Sequence, residues 1–397
     1  MTDPLPLAGI RVIELGHVVM GSTCGLVLAD MGADVVKIEK VPDGDDTRRL
    51  GGFGVGLFHF FNRNKRSLAI DLKSEDGKAI LRRAIAEADV FIENFGPGAV
   101  ERLGFGYDAC AALNPGLIYC SLKGFMPGPY EHRPSLDNLV QMMGGLAYMT
   151  GPRGRPLRAG ASVSDIMGGS YGALGILAAL YERRESGQGQ NVTAALFEAT
   201  AFLVGQHMAT AAIAQRELPP MPEGDGPWAV YDLFETRDGA QFFVGIVSER
   251  QWAPFCRHLG LDELAGDAGL ASNEGRLARR AEVLQKIQAR IGSLALNEVV
   301  AACDTAGIPF APVNRPQDLY DDPQLVEGGG LVETRLADGR TTRLPKIPVR
   351  LGEHDFGLRH EPPRVGQGSR EVLGDLGLGE SEIADLLARG IVAIDED

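Results

Sequence analysis

The sequence predicts an α/β protein in which a doubly wound, mostly parallel sheet forms a large domain and a smaller α+β domain stands apart. Two observations lead to this prediction. Short runs rich in Val, Ile and Leu alternate with helical patterns through the first half of the chain, and such alternation is typical of βαβ units in a parallel sheet. A Pro- and Gly-rich segment at 217–228 then breaks the pattern, which indicates a linker.

The elements of the large domain follow from the apolar periodicity. A helix is expected to stop near Gly32, and Ser74 is the expected N-cap of another helix. A long helix then runs from Asp165 to Ser186, a strand covers 192–196, and an apolar helix ends near residue 215. The strands and helices expected before Asp165 cover 9–15, 24–33, 34–39, 67–73, 74–88, 89–94, 107–113 and 116–124.

The second half of the chain has a different pattern. Two apolar runs flank Asp238-Gly239, which predicts a β-hairpin. Charged helices at 273–291 and 295–307 and a short strand follow, as in a small α+β domain. Short strands and a final helix are expected in the tail. The predicted division is a large domain at 1–216, a linker at 217–228, a small domain at 229–318 and a C-terminal segment at 319–397.

Composition excludes several classes of function. The chain has 53 acidic and 39 basic side chains and a net charge of -14, so neither nucleic acid nor an anionic membrane is an expected partner. The 5 cysteines and 7 histidines are scattered without ligand spacing, which predicts reduced thiols and no metal site. No targeting signal is recognisable and no apolar run reaches the ~20 residues that span a bilayer. We therefore expect a cytoplasmic protein.

Cations cluster where the predicted strands end. The segment 62–67 holds three cations, and Lys73, Arg102 and Lys123 lie near other strand ends or turns. A solvated basic face is the simpler interpretation of each residue alone, but together they predict an anion site for several phosphates. Neither the first strand–helix turn nor the segment 51–56 fits the G-x-G-x-x-G pattern in its required context, so NAD or FAD binding is not expected.

Asp165 precedes a long apolar helix and is followed closely by Gly168 and Gly169. An Asp at this place is most often an N-cap. Capping does not explain the two glycines, because glycine in a first turn weakens the helix. A ligand lying against bare backbone explains them, and a carboxylate there is suited to act as a nucleophile, ionised at pH 7, beside N–H groups that hold an oxyanion.

An ordered set of motifs identifies a resemblance. The blocks LADMGADVVKIE, FNRNKRSLAIDLK, ADVFIENFGPGAVERLGFGYD, NPGLIYCSLKGF, RPSLDNLVQMMGGLAYMTG, SDIMGG and SGQGQNV resemble the family III CoA-transferases, which include formyl-CoA transferase and α-methylacyl-CoA racemase. The resemblance implies a Rossmann-like large domain built from both chain ends, a smaller domain from the middle of the chain, and an interlocked homodimer. It also implies acyl-CoA and a small carboxylic acid as substrates.

The same resemblance assigns roles to individual residues. Asp165 would attack the acyl-CoA thioester, form a mixed anhydride and then carry CoA as an aspartyl thioester, with Gly168 and Gly169 as part of a catalytic site closed to water. Succinyl-CoA is the expected donor. Positions matching the family's CoA and acyl contacts are His17, Val19, Lys40, Ile70, Lys73, Asn94, Phe95, Gly96, Arg102, Lys123 and Asp137.

Departures from the family narrow the expected substrate. Val19 and Leu136 replace a glutamine and a tyrosine of formyl-CoA transferase, which disfavours oxalate or formate. Racemisation needs two acid/base groups, and Leu136 also stands where the racemase histidine aligns, with His132 four residues earlier. Transfer of CoA within one dicarboxylate stays open, as do the racemase and a non-catalytic acyl-CoA binder.

Overall fold

The computed structural model describes residues 4–224, 226–336 and 338–395. The chain divides into two compact units, one made of Met1–Glu223 with Glu327–Asp397 and the other of Gly224–Val326. Residues 1–3 of the predicted large domain, Asp225 of the predicted linker, and residues 337, 396 and 397 of the predicted C-terminal segment lie outside the described residues.

The first unit is built on a 7-stranded sheet with the order β12-β3-β2-β1-β4-β5-β6. Strands β1 to β6 are all parallel, and only β12 pairs antiparallel, with β3. The predicted α/β class with a mostly parallel sheet is therefore confirmed. The strands of the chain are β1 (Arg11–Leu15), β2 (Asp34–Glu39), β3 (Lys65–Ile70), β4 (Val90–Glu93), β5 (Ile118–Lys123), β6 (Asn191–Ala195), β7 (Tyr231–Glu235), β8 (Gln241–Gly245), β9 (Phe310–Pro312), β10 (Leu331–Arg335), β11 (Thr341–Pro345) and β12 (Val392–Ala393).

Helices cover both faces of this sheet because successive strand residues point to opposite sides. In β4, Phe91 joins an apolar core with α3, α5, α17 and α18, whereas Val90 and Ile92 join a second core with α1, α6 and α8. The helices are α1 (Met20–Asp30), α2 (Leu57–Phe61), α3 (Glu75–Ala86), α4 (Ala99–Leu103), α5 (Tyr107–Leu113), α6 (Asp137–Met143), α7 (Leu146–Thr150), α8 (Val163–Ser186), α9 (Leu196–Leu203), α10 (Gly205–Ala214), α11 (Glu249–His258), α12 (Asp262–Gly266), α13 (Asn273–Ala278), α14 (Arg280–Ile291), α15 (Leu296–Ala306), α16 (Pro323–Glu327), α17 (Ser369–Asp375) and α18 (Glu380–Ala388).

The second unit has an antiparallel sheet of β7, β8 and β9. The hairpin between β7 and β8 turns at Gly239, whose φ of 78° is the left-handed conformation that glycine adopts without strain. Trp252 and Phe255 of α11 pack with Phe242 of β8 in its apolar core.

Helix α8 is 24 residues long and apolar enough to cross a membrane by length and composition, contrary to the expectation that no segment reaches that threshold. It nevertheless serves as a core helix. Ala173, Ile176 and Ala179 are buried in the apolar core that α8 shares with α1 and the sheet.

The basic segment 62–67 has a structural role, and its predicted contribution to an anion site is wrong. Arg63 is fully buried and donates to Asp30 at 2.7 Å. Lys65 lies at 2.7 Å from Glu14, with neither side chain exposed. Arg66 pairs with Asp34 and Asp375. All three cations are already paired with carboxylates, Arg63 and Lys65 in the interior and Arg66 nearer the surface, so none of them offers a free cation to a ligand.

Candidate active site

The candidate site lies where strand order reverses between β1 and β4. The chain runs from β1 to β2 on one side, and β4 continues the sheet on the other, which makes the carboxyl ends of β1 and β4 a topological switch point, the usual ligand site of such sheets. Asn94 bridges the crevice: its Oδ1 accepts from the His17 N–H at 2.9 Å, and its Nδ2 donates to the His17 carbonyl at 2.9 Å.

Two cavities adjoin at this point and share His17 and Phe95 in their walls. The first, about 980 Å³, lies beyond β1, β2 and β3; the second, about 1170 Å³, extends to Asp165. All the predicted contact residues line one or both of them. In the first are His17, Lys40, Ile70, Lys73 and Phe95; in the second are His17, Val19, Asn94, Phe95, Gly96, Arg102, Lys123, Asp137 and Asp165.

The loop after β1 is held in a strained conformation between the cavities. Val18 has a φ of 59°, which is costly for a β-branched residue and typical of functional sites. The His17 ring packs on Phe95 with 5.2 Å between centroids. His17 is exposed and lines both cavities. Desolvation by the groove walls lowers its pKa and keeps the imidazole neutral at pH 7.

The predicted phosphate-binding cations differ in their pairing. Lys123 lies at 2.7 Å from the buried Glu93 carboxylate, and exposed Lys40 pairs with exposed Asp46 at 2.6 Å. Within the described parts of the chain, Lys73 and Arg102 have no acidic partner. Of the predicted cations, Lys73 at the first cavity and Arg102 of α4 at the second cavity are therefore available to bind a ligand.

Glu93 is a site residue that sequence reasoning missed. Its buried carboxylate accepts from the Phe95 N–H at 3.0 Å and from Ser121 Oγ at 2.6 Å, besides holding Lys123. Glu93 therefore holds the backbone of Phe95, whose ring lies in the wall shared by the two cavities. The signal was present, since an acidic residue ends an otherwise apolar strand.

Asp165 occupies the first turn of α8, in the wall of the second cavity. Its side chain does not cap the helix, so the capping interpretation is wrong. The cap comes from Asp137, whose Oδ1 accepts from the Ser164 and Asp165 N–H groups at 2.9 and 3.2 Å. Asp137 Oδ2 accepts from Gln141 Nε2 at 2.6 Å.

The Asp165 carboxyl is poised between its two protonation states. Burial, and secondarily the negative charge of Asp137, raises its pKa to about 7. The sequence-based expectation of full ionisation at pH 7 is therefore wrong. A carboxylate that is desolvated in this way is a stronger nucleophile than one in water.

Gly168 and Gly169 serve helix packing and do not line the second cavity; their part in the catalytic site stays a prediction. A Cβ on Gly169 would lie 2.5 Å from the Met20 carbonyl oxygen and 2.8 Å from Thr23 Cβ. A Cβ on Gly168 would meet the end of the Met20 side chain at 2.5 Å. Both faces are filled by α1, so the glycines allow α1 and α8 to approach closely.

Alanine at these two positions is expected to have unequal effects. Gly169→Ala should lower the free energy of unfolding by about 1–3 kcal/mol, because backbone must move. Gly168→Ala should cost less, since the methionine tip can turn away and alanine improves helix propensity by ~1 kcal/mol. Urea denaturation of both variants tests this; equal losses would contradict the packing role.

His132, the histidine considered for racemisation, does not line the second cavity. The His132 side chain is 87% exposed and its Nε2 lies 3.1 Å from Glu131. Its neighbours Glu131 and Arg133 line the second cavity, whereas His132 does not. Within the described residues, no three His, Cys, Asp or Glu side chains converge as metal ligands.

Comparison with known proteins adds a family relationship. Residues 7–369 match the model of CoA-transferase family III. The chain is 34% identical to the succinate–glutarate CoA-transferase of Agrobacterium fabrum, over 94% of this chain and 96% of that protein. It is 31% identical to the mouse succinyl-CoA:glutarate CoA-transferase, over 98% of this chain and 90% of that protein.

A solved structure extends the likeness to the fold. A CAIB/BAIF family protein from Brucella suis superimposes with a TM-score of 0.85 at 32% identity, covering 94% of this chain and 100% of that one.

Proposed function

The chain belongs to CoA-transferase family III, and we propose that it moves CoA from succinyl-CoA to a second small dicarboxylic acid with Asp165 as nucleophile. The observation that supports this most is the placement of Asp165. Its carboxyl is desolvated and faces the second cavity at the switch point of the sheet, and the first cavity, which shares His17 and Phe95 with it, contains the available cation Lys73. The choice of acids rests on relatives whose names specify succinate and glutarate.

The proposed reaction conserves the energy of the thioester. The Asp165 carboxylate attacks the acyl carbonyl, the C–S bond breaks, and CoA leaves as a thiolate while the acyl group stays on Asp165 as a mixed anhydride. The thiolate attacks the aspartyl carbonyl and releases the first acid as its carboxylate. The incoming carboxylate displaces CoA from the aspartyl thioester, and the thiolate then takes the new acyl group and frees Asp165. No water is consumed, so water must be kept from the anhydride.

The two cavities would bind different parts of the acyl-CoA. Lys73 beside the first cavity and Arg102 beside the second would bind phosphates of CoA, with Phe95 supporting its apolar parts. The second cavity would hold the acyl group against Val19, Met20 and Leu196. Val19 is 2% exposed and packs with Leu26 and Phe61, so this wall is apolar and offers no side-chain donor.

Chemical trapping tests the covalent step. The protein is mixed with succinyl-CoA, quenched with hydroxylamine or borohydride, and digested for mass spectrometry. We expect a hydroxamate or alcohol at Asp165 that requires the CoA ester. Acetyl-CoA and free succinate serve as controls. Exchange of CoA between succinate and glutarate without modification of Asp165 would contradict the mechanism.

The pH dependence of turnover should report the Asp165 carboxyl. Because only the carboxylate attacks, we expect kcat/KM for succinyl-CoA to rise with pH and level off above about 7, the pKa of Asp165. Asp137→Asn removes the neighbouring charge and should move the midpoint to lower pH. The midpoint stays above the ordinary range of Asp, because burial is the larger cause.

Asp46→Asn is the matched control for that profile. Asp46 lines the first cavity and carries the same charge, but it does not contribute to the raised pKa of Asp165. The pH profile of kcat/KM for Asp46→Asn should have the same midpoint as that of the unmodified protein. An unchanged midpoint in Asp137→Asn would show that another group limits the reaction.

We also propose that the chain acts as an interlocked homodimer in the cytoplasm, with the segments on either side of the second unit forming one large domain. Phe202, Met208 and Ile213 of α9 and α10 are 70%, 63% and 85% exposed, an apolar surface that a partner subunit would cover. All five cysteines are free and buried, as in a reducing compartment. Light scattering should give twice the 42.4 kDa of the chain.

A further inference from the structure

We propose that Arg133 determines specificity for dicarboxylic acids by binding the distal carboxylate of the acyl group. The inference rests on the proposed function, because it assumes that an acyl group occupies the second cavity beside Asp165. It adds a residue that the sequence motifs did not single out and a reason for the choice of substrate.

The charges of the second cavity point to this residue. Arg102, Lys123 and Arg133 are the basic side chains in its described lining. Lys123 is neutralised by Glu93 at 2.7 Å. Arg102 belongs to α4, whose last residue, Leu103, lines the first cavity. Arg133 lies in the segment 133–137, which also lines the second cavity and leads directly to Asp137 and the capped end of α8.

A dicarboxylate can enter the second cavity only if a cation offsets the negative charge near Asp137 and Asp165. Asp137 and Asp165 both face this space. Arg158 lies 3.7 Å from Asp137, and the negative charge that remains on the two carboxyls repels a second carboxylate in a partly desolvated site. Glu131 does not neutralise Arg133, since its carboxylate accepts from the Gly128 N–H and contacts His132. Over the described part of the chain, the Arg133 guanidinium has no acidic partner.

The guanidinium is held in place before any substrate binds. Its Cζ lies 4.9 Å from the centroid of the Tyr130 ring, and Tyr130 packs against Phe125 and Phe197 at 5.6 and 6.4 Å. The Arg133 N–H donates to the Tyr130 carbonyl at 2.8 Å. An aromatic face orients a guanidinium and leaves its N–H edge free for a carboxylate.

The loop that carries Arg133 is anchored to the sheet. Gly124 follows β5, and a Cβ there would lie 1.8 Å from Ser135 Oγ. Asp137, four residues after Arg133, is fixed by the N-terminal N–H groups of α8. The fold therefore holds the backbone of this loop, and Tyr130 orients the guanidinium that the loop carries.

Isotope exchange between an acid and its own CoA ester tests the proposal. Entry of labelled succinate into succinyl-CoA is compared with entry of labelled butyrate into butyryl-CoA, in which a methyl group replaces the distal carboxylate. We expect Arg133→Gln to lower the kcat/KM of succinate exchange by roughly 10²–10³-fold and to leave butyrate exchange unchanged. Arg133→Lys should recover part of the succinate activity.

Arg153→Gln is the matched control, because Arg153 is an exposed arginine that pairs with Glu223 and does not line the cavity. It should leave both exchange rates unchanged. Equal losses for succinate and butyrate in Arg133→Gln would overturn the specificity role, and so would equal rates for both acids in the unmodified protein. In either case exchange and trapping at Asp165 would still support the proposed function; absence of any exchange would overturn both.

Discussion

Replacing Asp165 by asparagine or alanine is expected to lower CoA transfer about 10⁴-fold or more while acyl-CoA still binds. Neither side chain can form the anhydride, and loss of a nucleophile removes the covalent route entirely. Binding should persist because Lys73, Arg102 and Phe95, the residues proposed to bind CoA, are unchanged in these variants. Isotope exchange and calorimetric titration with CoA measure the two quantities. Transfer that survives in Asp165→Ala would refute the proposed nucleophile.

The same substitution should stabilise the protein at alkaline pH. The folded protein retains the Asp165 proton up to about pH 7, whereas the unfolded chain releases it near pH 4. Between these values the folded state binds more protons, so the contribution of Asp165 to stability falls as pH rises, by about 1.4 kcal/mol per pH unit. Above pH 7 the full cost of the desolvated carboxylate is present.

Urea denaturation should therefore show Asp165→Asn to be more stable than the unmodified protein at pH 8, by ~2–4 kcal/mol. The two proteins should be similar at pH 4, where both side chains are neutral. If Asp165→Asn were less stable than the unmodified protein at pH 8, a favourable interaction of the carboxylate would outweigh the cost of its burial. The expected gain in stability is the usual result of replacing a desolvated group that is kept for catalysis.

Removal of the buried Glu14 charge is the second large effect that we expect. Glu14 lies between Lys37 at 3.1 Å and Lys65 at 2.7 Å, and all three side chains are fully buried. Lys37 is also paired with Asp45 at 3.0 Å. Glu14→Gln would leave an excess buried cation, so the free energy of unfolding should fall by about 3–5 kcal/mol. Urea denaturation at pH 7 measures the loss.

Glu87→Gln is the matched control, because Glu87 pairs with Arg11 at 2.9 Å while both side chains are about half exposed, at 43% and 53%. It should change stability by less than about 1 kcal/mol. Glu14→Gln should also impair transfer, since Lys37 Nζ donates to the Gly16 carbonyl at 2.8 Å and so supports the loop that carries His17. Equal stability of the two variants would show that the buried network contributes little.

The sequence determined the sheet, its helices and the identity of the residues along the groove. Apolar periodicity is local, so β1, β2, β4 and α8 could be located within a few residues of their observed bounds. The motifs that resemble the family predict that Asn94, Phe95 and Asp165 share one site. That placement follows from topology, because the carboxyl ends of parallel strands meet at one edge of the sheet.

Tertiary structure decided what the charged and small residues do. Lys65 and Glu14, or Arg63 and Asp30, are far apart in sequence, and only folding shows that they neutralise one another. The two glycines after Asp165 face α1, and the cap of α8 comes from Asp137 on another helix. A local pattern specifies which residues are buried or exposed. Which carboxylate pairs with a given cation, and which segment packs against a glycine, depend on contacts between distant segments. Those contacts determine whether a cation is structural or available to bind a ligand.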